Sequence, residues 1–173
     1  VNELGEIGLD HLLVTEQADQ IALLEGGCLC CAVVDSLPET LLELCRKRSG
    51  GEVPAFSRIV IETTGLADPG PIVQAIRHSP LLSHFLEPGV VVTVLDMLTA
   101  DTVPVRHPEA LRQLVLAERI VLTKLDLRDA LAPQELVTLR ALNPVAEIVT
   151  ATDIETQPGR LMAPAAVVHA PLP

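Results

Sequence analysis

Short apolar runs alternate along this chain with segments whose apolar residues recur at helical spacing, and that alternation predicts strands and helices in turn. Ile21 to Leu24 suit a short buried strand, released by Gly26-Gly27 into a tight turn. Leu41, Leu42 and Leu44 mark a helix that starts near Asp35 or Ser36 and ends near Arg48. Ile59, Val60 and Ile61 form a β-branched run short enough for a strand buried on both faces, with charge arriving only at Glu62. Ile72, Val73 and Ile76 supply the next helical face, behind prolines placed where a first turn tolerates them. HSPLLSHFLEPG reads as a broken, partly helical connection. Val90 to Leu95 make another buried strand, ending in Asp96, and Leu111, Leu114 and Val115 mark the helix after it. Ile120, Val121 and Leu122 form a strand, Pro133 to Leu142 a helix, and Ile148-Val149 a last strand before Thr150-Ala151-Thr152. Strands and helices at this spacing imply right-handed crossovers and an α/β fold, a three-layer, mainly parallel sheet covered on both faces. The α/β domain is expected over residues 1–157, and the tail, 158–173, reads as the start of a linker.

Composition narrows the picture. At 173 residues the chain has the length of one domain and can bury roughly two-thirds of its unfolded surface. Apolar residues make up 49% but aromatics only 1%, so the core is built from Leu, Val, Ile and Ala. That favours layered α/β packing over a disordered chain or an aromatic-rich recognition module. A net charge of -11 argues against nucleic acid as a partner, because phosphate would be repelled by most of the surface. No apolar run approaches the length needed to cross a bilayer, and the N-terminus has neither a basic region nor a cleavage signature. A soluble, cytoplasmic protein without a membrane partner is expected. Val1 in place of Met, followed by the loop-like VNELGEIGLD, reads as a cut inside a longer polypeptide.

Candidate chemistry sits at the ends of the predicted strands. In RIVIETTGLADPGP, strand, acidic tip, glycine turn and helix follow one another, the order in which open parallel sheets present ligands at their carboxyl ends. An ordinary strand-to-helix loop has the same order. Cys28, Cys30 and Cys31 stand on the glycine turn, and three thiols so close are hard to explain as packing. Thiolates bind zinc or copper(I), and three from one turn leave a fourth position for a distant side chain, water or a transferred ligand. A redox pair of Cys28 and Cys31, or plain structure, are the competing readings. Cys45, among leucines, reads as a small buried hydrophobe. Glu3, Glu6, Asp10 and His11 suit either a solvated acidic loop or metal and water ligands, the loop being the simpler reading.

The tetrad Thr123-Lys124-Leu125-Asp126 follows a buried strand. A carboxylate at Asp126 can accept two parallel hydrogen bonds from the ring N–H and exocyclic amine of guanine, while the methylene stem of Lys124 covers one face of the base. Adenine lacks that donor pair, and by analogy with bidentate base reading the contact discriminates by roughly 1 to 3 kcal/mol.

GGCLCC, IETTGLADPGP and VLTKLDL, in this order and spacing, resemble the CobW-type GTPases, relatives of HypB and UreG among the P-loop metal-insertion proteins. The resemblance covers almost the whole chain and extends to NELGEIGLD, which is similar to the family's first switch segment. It implies GTP binding and hydrolysis, with magnesium, coupled to the handling of zinc, cobalt or a related metal for a client protein. Residue by residue, it implies metal ligation by Cys28, Cys30 and Cys31, with Glu6 in an acidic switch segment able to add a ligand. It implies catalytic roles for Glu62 and Gly65, at the Walker B-like strand end and second switch. It implies guanine recognition by Thr123, Lys124 and Asp126, with Ala151 in the turn after the next strand.

One part of the family's pattern is absent. Its phosphate loop, Gly-x-x-x-x-Gly-Lys-Ser/Thr, should precede Asn2, yet no Gly-Lys pair occurs in this chain. Without that loop there is no nest of N–H groups, no lysine on the terminal phosphates and no hydroxyl on magnesium, so this chain alone is expected to bind GTP poorly and hydrolyse almost none. The resemblance also implies a smaller C-terminal domain, towards which the linker at 158–173 is expected to lead. In P-loop folds the strand feeding the phosphate loop is central, which would leave the Ile59 to Ile61 strand with an unpaired edge. The rival reading is a non-enzymatic zinc-binding or thiol-redox module in which the nucleotide features are relics. A homodimer could complete the metal site in either case.

Overall fold

The computed structural model describes residues 32–63, 65, 67–100, 107–128 and 130–164. They fall into two compact units divided between Glu87 and Pro88.

In the first unit, helix α1 (Ala32–Gly50) begins before the expected Asp35 or Ser36, runs past Arg48, and holds Pro38 inside it. Tertiary packing accounts for its persistence. Leu37, Leu41 and Leu42 recur along one stripe and bury against Ile72 of helix α2 (Pro69–Arg77) and Leu82 of a short 3-10 turn (Leu82–His84). Cys45 is buried on α1 as expected, and that burial pushes its thiol up from the usual range. Helix α2 starts at the prolines, as its sequence predicts, with Pro69 where no backbone donor is needed; the structure adds a cap, Asp68, which is extended and whose Oδ1 accepts the Gly70 N–H at 2.9 Å.

Ile59 to Ile61 do not form the expected strand. Ile59 packs against the α1–α2 cluster, but Val60 is 65% exposed and Ile61 is exposed as well. A β-branched run becomes a strand only where neighbouring backbone satisfies its N–H and C=O groups, and among the described residues no strand pairs with this one.

The second unit is a three-stranded parallel sheet in the order β1 (Val92–Asp96), β2 (Arg119–Thr123), β3 (Glu147–Thr150). Helix α3 (Pro108–Leu116) lies between β1 and β2 in the chain, and α4 (Pro133–Leu142) between β2 and β3. Helices α5 (Ala151–Thr156) and α6 (Gly159–Met162) follow β3. Alternation along β2 sends Ile120 and Leu122 to one face, where they cluster with Leu95, Leu114 of α3 and Leu139 of α4. Val121 and Val149 are buried on the other face, yet Val94, in register with Val121, is 66% exposed. The expectation that Val90 to Leu95 is buried throughout is therefore corrected. Among the described residues β1 is an edge strand, and α5 packs on β3 and β2.

Two buried polar side chains brace the unit. The Asn143 side-chain amide donates to the carbonyls of Leu114 and Ala117, both at 2.8 Å, and its oxygen accepts the Ala146 N–H at 3.0 Å, tying the ends of α3 and α4 together. Arg119, 1% exposed, donates from Nη2 to Glu147 Oε2 at 2.6 Å and from Nη1 to the Leu161 carbonyl at 2.7 Å. Arg160 donates to the other Glu147 oxygen at 2.8 Å, so α6 is clasped to the start of β2 and β3 where the linker is expected to begin. The α/β architecture with parallel strands is present as expected. Among the described residues no helix is long and apolar enough to cross a membrane.

Candidate functional site

Thr123, Lys124 and Asp126 stand at or after the carboxyl end of β2 and Ala151 follows that of β3, and parallel register sets these two strand ends side by side. β2 ends at Thr123, whose hydroxyl donates to the Leu95 carbonyl at 3.1 Å, so this side chain knits β2 to β1 and leaves the turn to the residues after it. Lys124 then takes a left-handed backbone, φ 59° and ψ 27°, the one non-glycine residue of positive φ among those described. That conformation is unfavourable for a residue with a Cβ and turns the chain sharply off the sheet. A 3-10 turn, Leu125–Leu127, follows and presents Asp126 exposed to solvent.

The loop is tied to its surroundings by hydrogen bonds that the sequence does not disclose. The Met97 N–H donates to the Thr123 carbonyl at 3.2 Å, and Arg128 Nη1 donates to the Met97 carbonyl at 2.9 Å. Arg128 also pairs with Glu135 at 2.8 Å, and Glu135 accepts the Ala132 N–H at 2.7 Å at the start of α4. Arg128, then that N–H, hold the Glu135 carboxyl below its usual range. Lys124 Nζ lies 2.6 Å from Asp96 Oδ2, and Asp96 Oδ1 accepts the Leu98 N–H at 2.8 Å. Lys124 first, and the Leu98 N–H second, hold the Asp96 carboxyl below the ordinary carboxylate range.

β3 runs directly into α5, whose first residue is Ala151. Thr150 and Asp153 form a reciprocal cap: the Thr150 hydroxyl accepts the Asp153 N–H at 3.1 Å and the Asp153 carboxylate accepts the Thr150 N–H at 2.8 Å. The cap sets Ala151 at the head of the helix, beside the end of β2, because Leu122 is in register with Thr150. Sequence reasoning missed Asp96, Arg128 and Asp153 as supports; for Asp153, the Thr-x-x-Asp spacing was the available signal.

Glu62 and Gly65 belong to the first unit. The Glu62 side chain is exposed, and a Cβ built on Gly65 would meet no heavy atom within 4 Å. Packing therefore does not demand glycine at position 65. Cys28, Cys30, Cys31 and Glu6 lie outside the described residues, as do Glu3, Asp10, His11 and the strand expected at Ile21 to Leu24.

The sequence model of the CobW/HypB/UreG, nucleotide-binding domain matches residues 1–150. The zinc chaperone YjiA of Escherichia coli is 40% identical over 126 residues, which cover 72% of this chain and 39% of that protein. Zinc-regulated GTPase metalloprotein activator 1 of Schizosaccharomyces pombe is 31% identical over 169 residues, covering 93% of this chain and 39% of that protein. The chain thus spans 39% of the length of each of these curated relatives. The crystal structure of Zn(II)-bound YjiA GTPase from E. coli superposes with a TM-score of 0.56 at 32% identity, over 65% of this chain and 35% of that one. With a family match across most of its length and a parallel sheet of the same fold, this chain belongs to the CobW/HypB/UreG family of nucleotide-binding domains.

Proposed function

We propose that this chain is the guanine-reading and switch-bearing part of a GTP-hydrolysing metallochaperone that hands zinc to a client protein. The observation that carries the reading is the turn after β2, where a left-handed Lys124 and an exposed Asp126 stand beside the head of α5. Asp126 would accept the paired N–H donors of guanine, the stem of Lys124 would cover the ring, and Ala151 would lie at the edge of the base. Glu62 and Gly65 serve the phosphate end, Glu62 orienting water or holding magnesium, and Gly65 letting the terminal phosphate approach the backbone. Magnesium takes one or two carboxylates together with phosphate oxygens and water, and the exposed Glu62 carboxylate is a donor of that kind. When bound, the ion supplies charge neutralisation on the phosphates.

Zinc is cargo in this reading. The relatives named zinc chaperones, together with Cys28, Cys30 and Cys31 on one turn, support a thiolate site whose access changes as the switches relax on loss of the terminal phosphate. Glu6 is the candidate for an additional ligand.

The test is Asp126→Asn in the full-length protein. The amide places a donor against guanine's donors, so GTP affinity should fall by at least about tenfold while xanthine nucleotides gain. Calorimetric titration with GTP, XTP and ATP measures it, and an unchanged preference among the three would overturn the guanine assignment.

A further inference from the structure

The base loop is fastened to the turn after β1 in two different ways. Thr123 Oγ1 on the Leu95 carbonyl, the Met97 N–H on the Thr123 carbonyl and Arg128 on the Met97 carbonyl hold its backbone path. The bond from Lys124 Nζ to Asp96 Oδ2 holds a side chain, and both partners are substantially exposed. An exposed ion pair adds little to the stability of a fold that other bonds already secure. What it does determine is where a long, flexible stem lies. A free lysine samples many rotamers and must surrender them to cover a base.

Geometry makes Asp96 suited to that task. Asp96 and Thr123 are register partners at the ends of neighbouring strands, so the Lys124 side chain runs from the end of β2 to the end of β1. Asp96 is itself fixed, since its second oxygen accepts the Leu98 N–H. The left-handed backbone of Lys124 is costly, and such strain persists where its surroundings hold it for a purpose.

We propose that Asp96 is a positioning residue for guanine nucleotides, anchoring the Lys124 ammonium at the end of β1 so that the lysine stem is already laid across the strand ends where it covers the base. The inference rests on the guanine reading of Asp126. Asp96 acts through Lys124 alone, and the three residues divide the work: Asp126 chooses the base, Lys124 covers it, and Asp96 removes the lysine's freedom beforehand.

The experiment is a double-mutant cycle in the full-length protein, read by calorimetric titration with GDP and XDP and by thermal unfolding without nucleotide. Asp96→Asn keeps an oxygen for the Leu98 N–H and should weaken GDP binding roughly three- to tenfold, with the preference for GDP over XDP and the unfolding temperature unchanged. Lys124→Gln should weaken binding at least as much. Asp96→Asn added to Lys124→Gln should then cost nothing further. Wild-type GDP affinity in Asp96→Asn would overturn the proposal, as would an equal loss in both backgrounds together with a lowered unfolding temperature, the mark of a merely structural role. Asp126→Asn, run alongside, separates the two readings: if it leaves the choice between GDP and XDP unchanged, the guanine site itself fails.

Discussion

Ile120 to Leu122 and Ile59 to Ile61 are apolar runs of equal length, each leading towards a turn, yet only the first lies in a strand. Ile120 pairs with Thr93 of β1 on one side and Ile148 of β3 on the other, and its side chain is 0% exposed. The run at Ile59 has no ladder among the described residues, and Val60 stands in solvent. The difference teaches that an apolar, β-branched run supplies the reason for burial, whereas neighbouring backbone supplies the place. Strand propensity largely reports fit to a surface that other strands create.

Core truncation is the largest way to test that contrast. Ile120→Ala should lower the free energy of unfolding by about 2 to 5 kcal/mol, through lost burial and an unfilled cavity. Val60→Ala should stay within about 0.5 kcal/mol, as exposed substitutions do. Urea unfolding followed by circular dichroism measures both, because the chain contains no Trp or Tyr. Comparable losses from the two variants would show that Val60 is buried in a strand in solution.

Acid should act on the strand-paired region next. Arg160 and, after it, Arg119 hold the Glu147 carboxyl below its usual range. The folded state then binds the Glu147 proton less readily than the unfolded chain does. Its stabilisation is complete above the unfolded value of about 4.3 and is lost as pH falls through the lower folded one. Glu147→Gln should therefore be less stable than wild type at neutral pH, with the gap closing below about pH 4. A gap that stays constant from neutrality into acid would break the assignment.

The smallest structural effect belongs to the turn after the unpaired run. Gly65→Ala meets no atom within 4 Å, so stability should change by no more than about 0.5 kcal/mol. GTP hydrolysis by the full-length protein should nonetheless drop by about tenfold or more if the terminal phosphate packs against that backbone. Steady-state phosphate release reads the outcome, and unchanged turnover would remove Gly65 from the site.

Much of the second unit is legible in the residues themselves. The period of Ile120, Val121 and Leu122, the helix face of Leu111, Leu114 and Val115, and the turn-forming tetrad from Thr123 to Asp126 are properties of neighbours along the chain, and local chemistry is enough to read them. The same holds for the prolines in the first turn of α2.

Tertiary structure decided what depends on partners distant in sequence. Arg119 reads as a charge bordering an apolar run, yet it is buried because Glu147 and the carbonyls of Leu161 and Ala163 receive its donors. Lys124 and Asp96 are 28 residues apart, and they meet because parallel register puts both strand ends side by side. Ile59 to Ile61 show the converse, with the pattern of a strand and no described ladder to join. Hydrogen-bond and ion-pair partners are chosen by distance in space, and the spacing of residues along the chain carries that distance only within a turn or a helix.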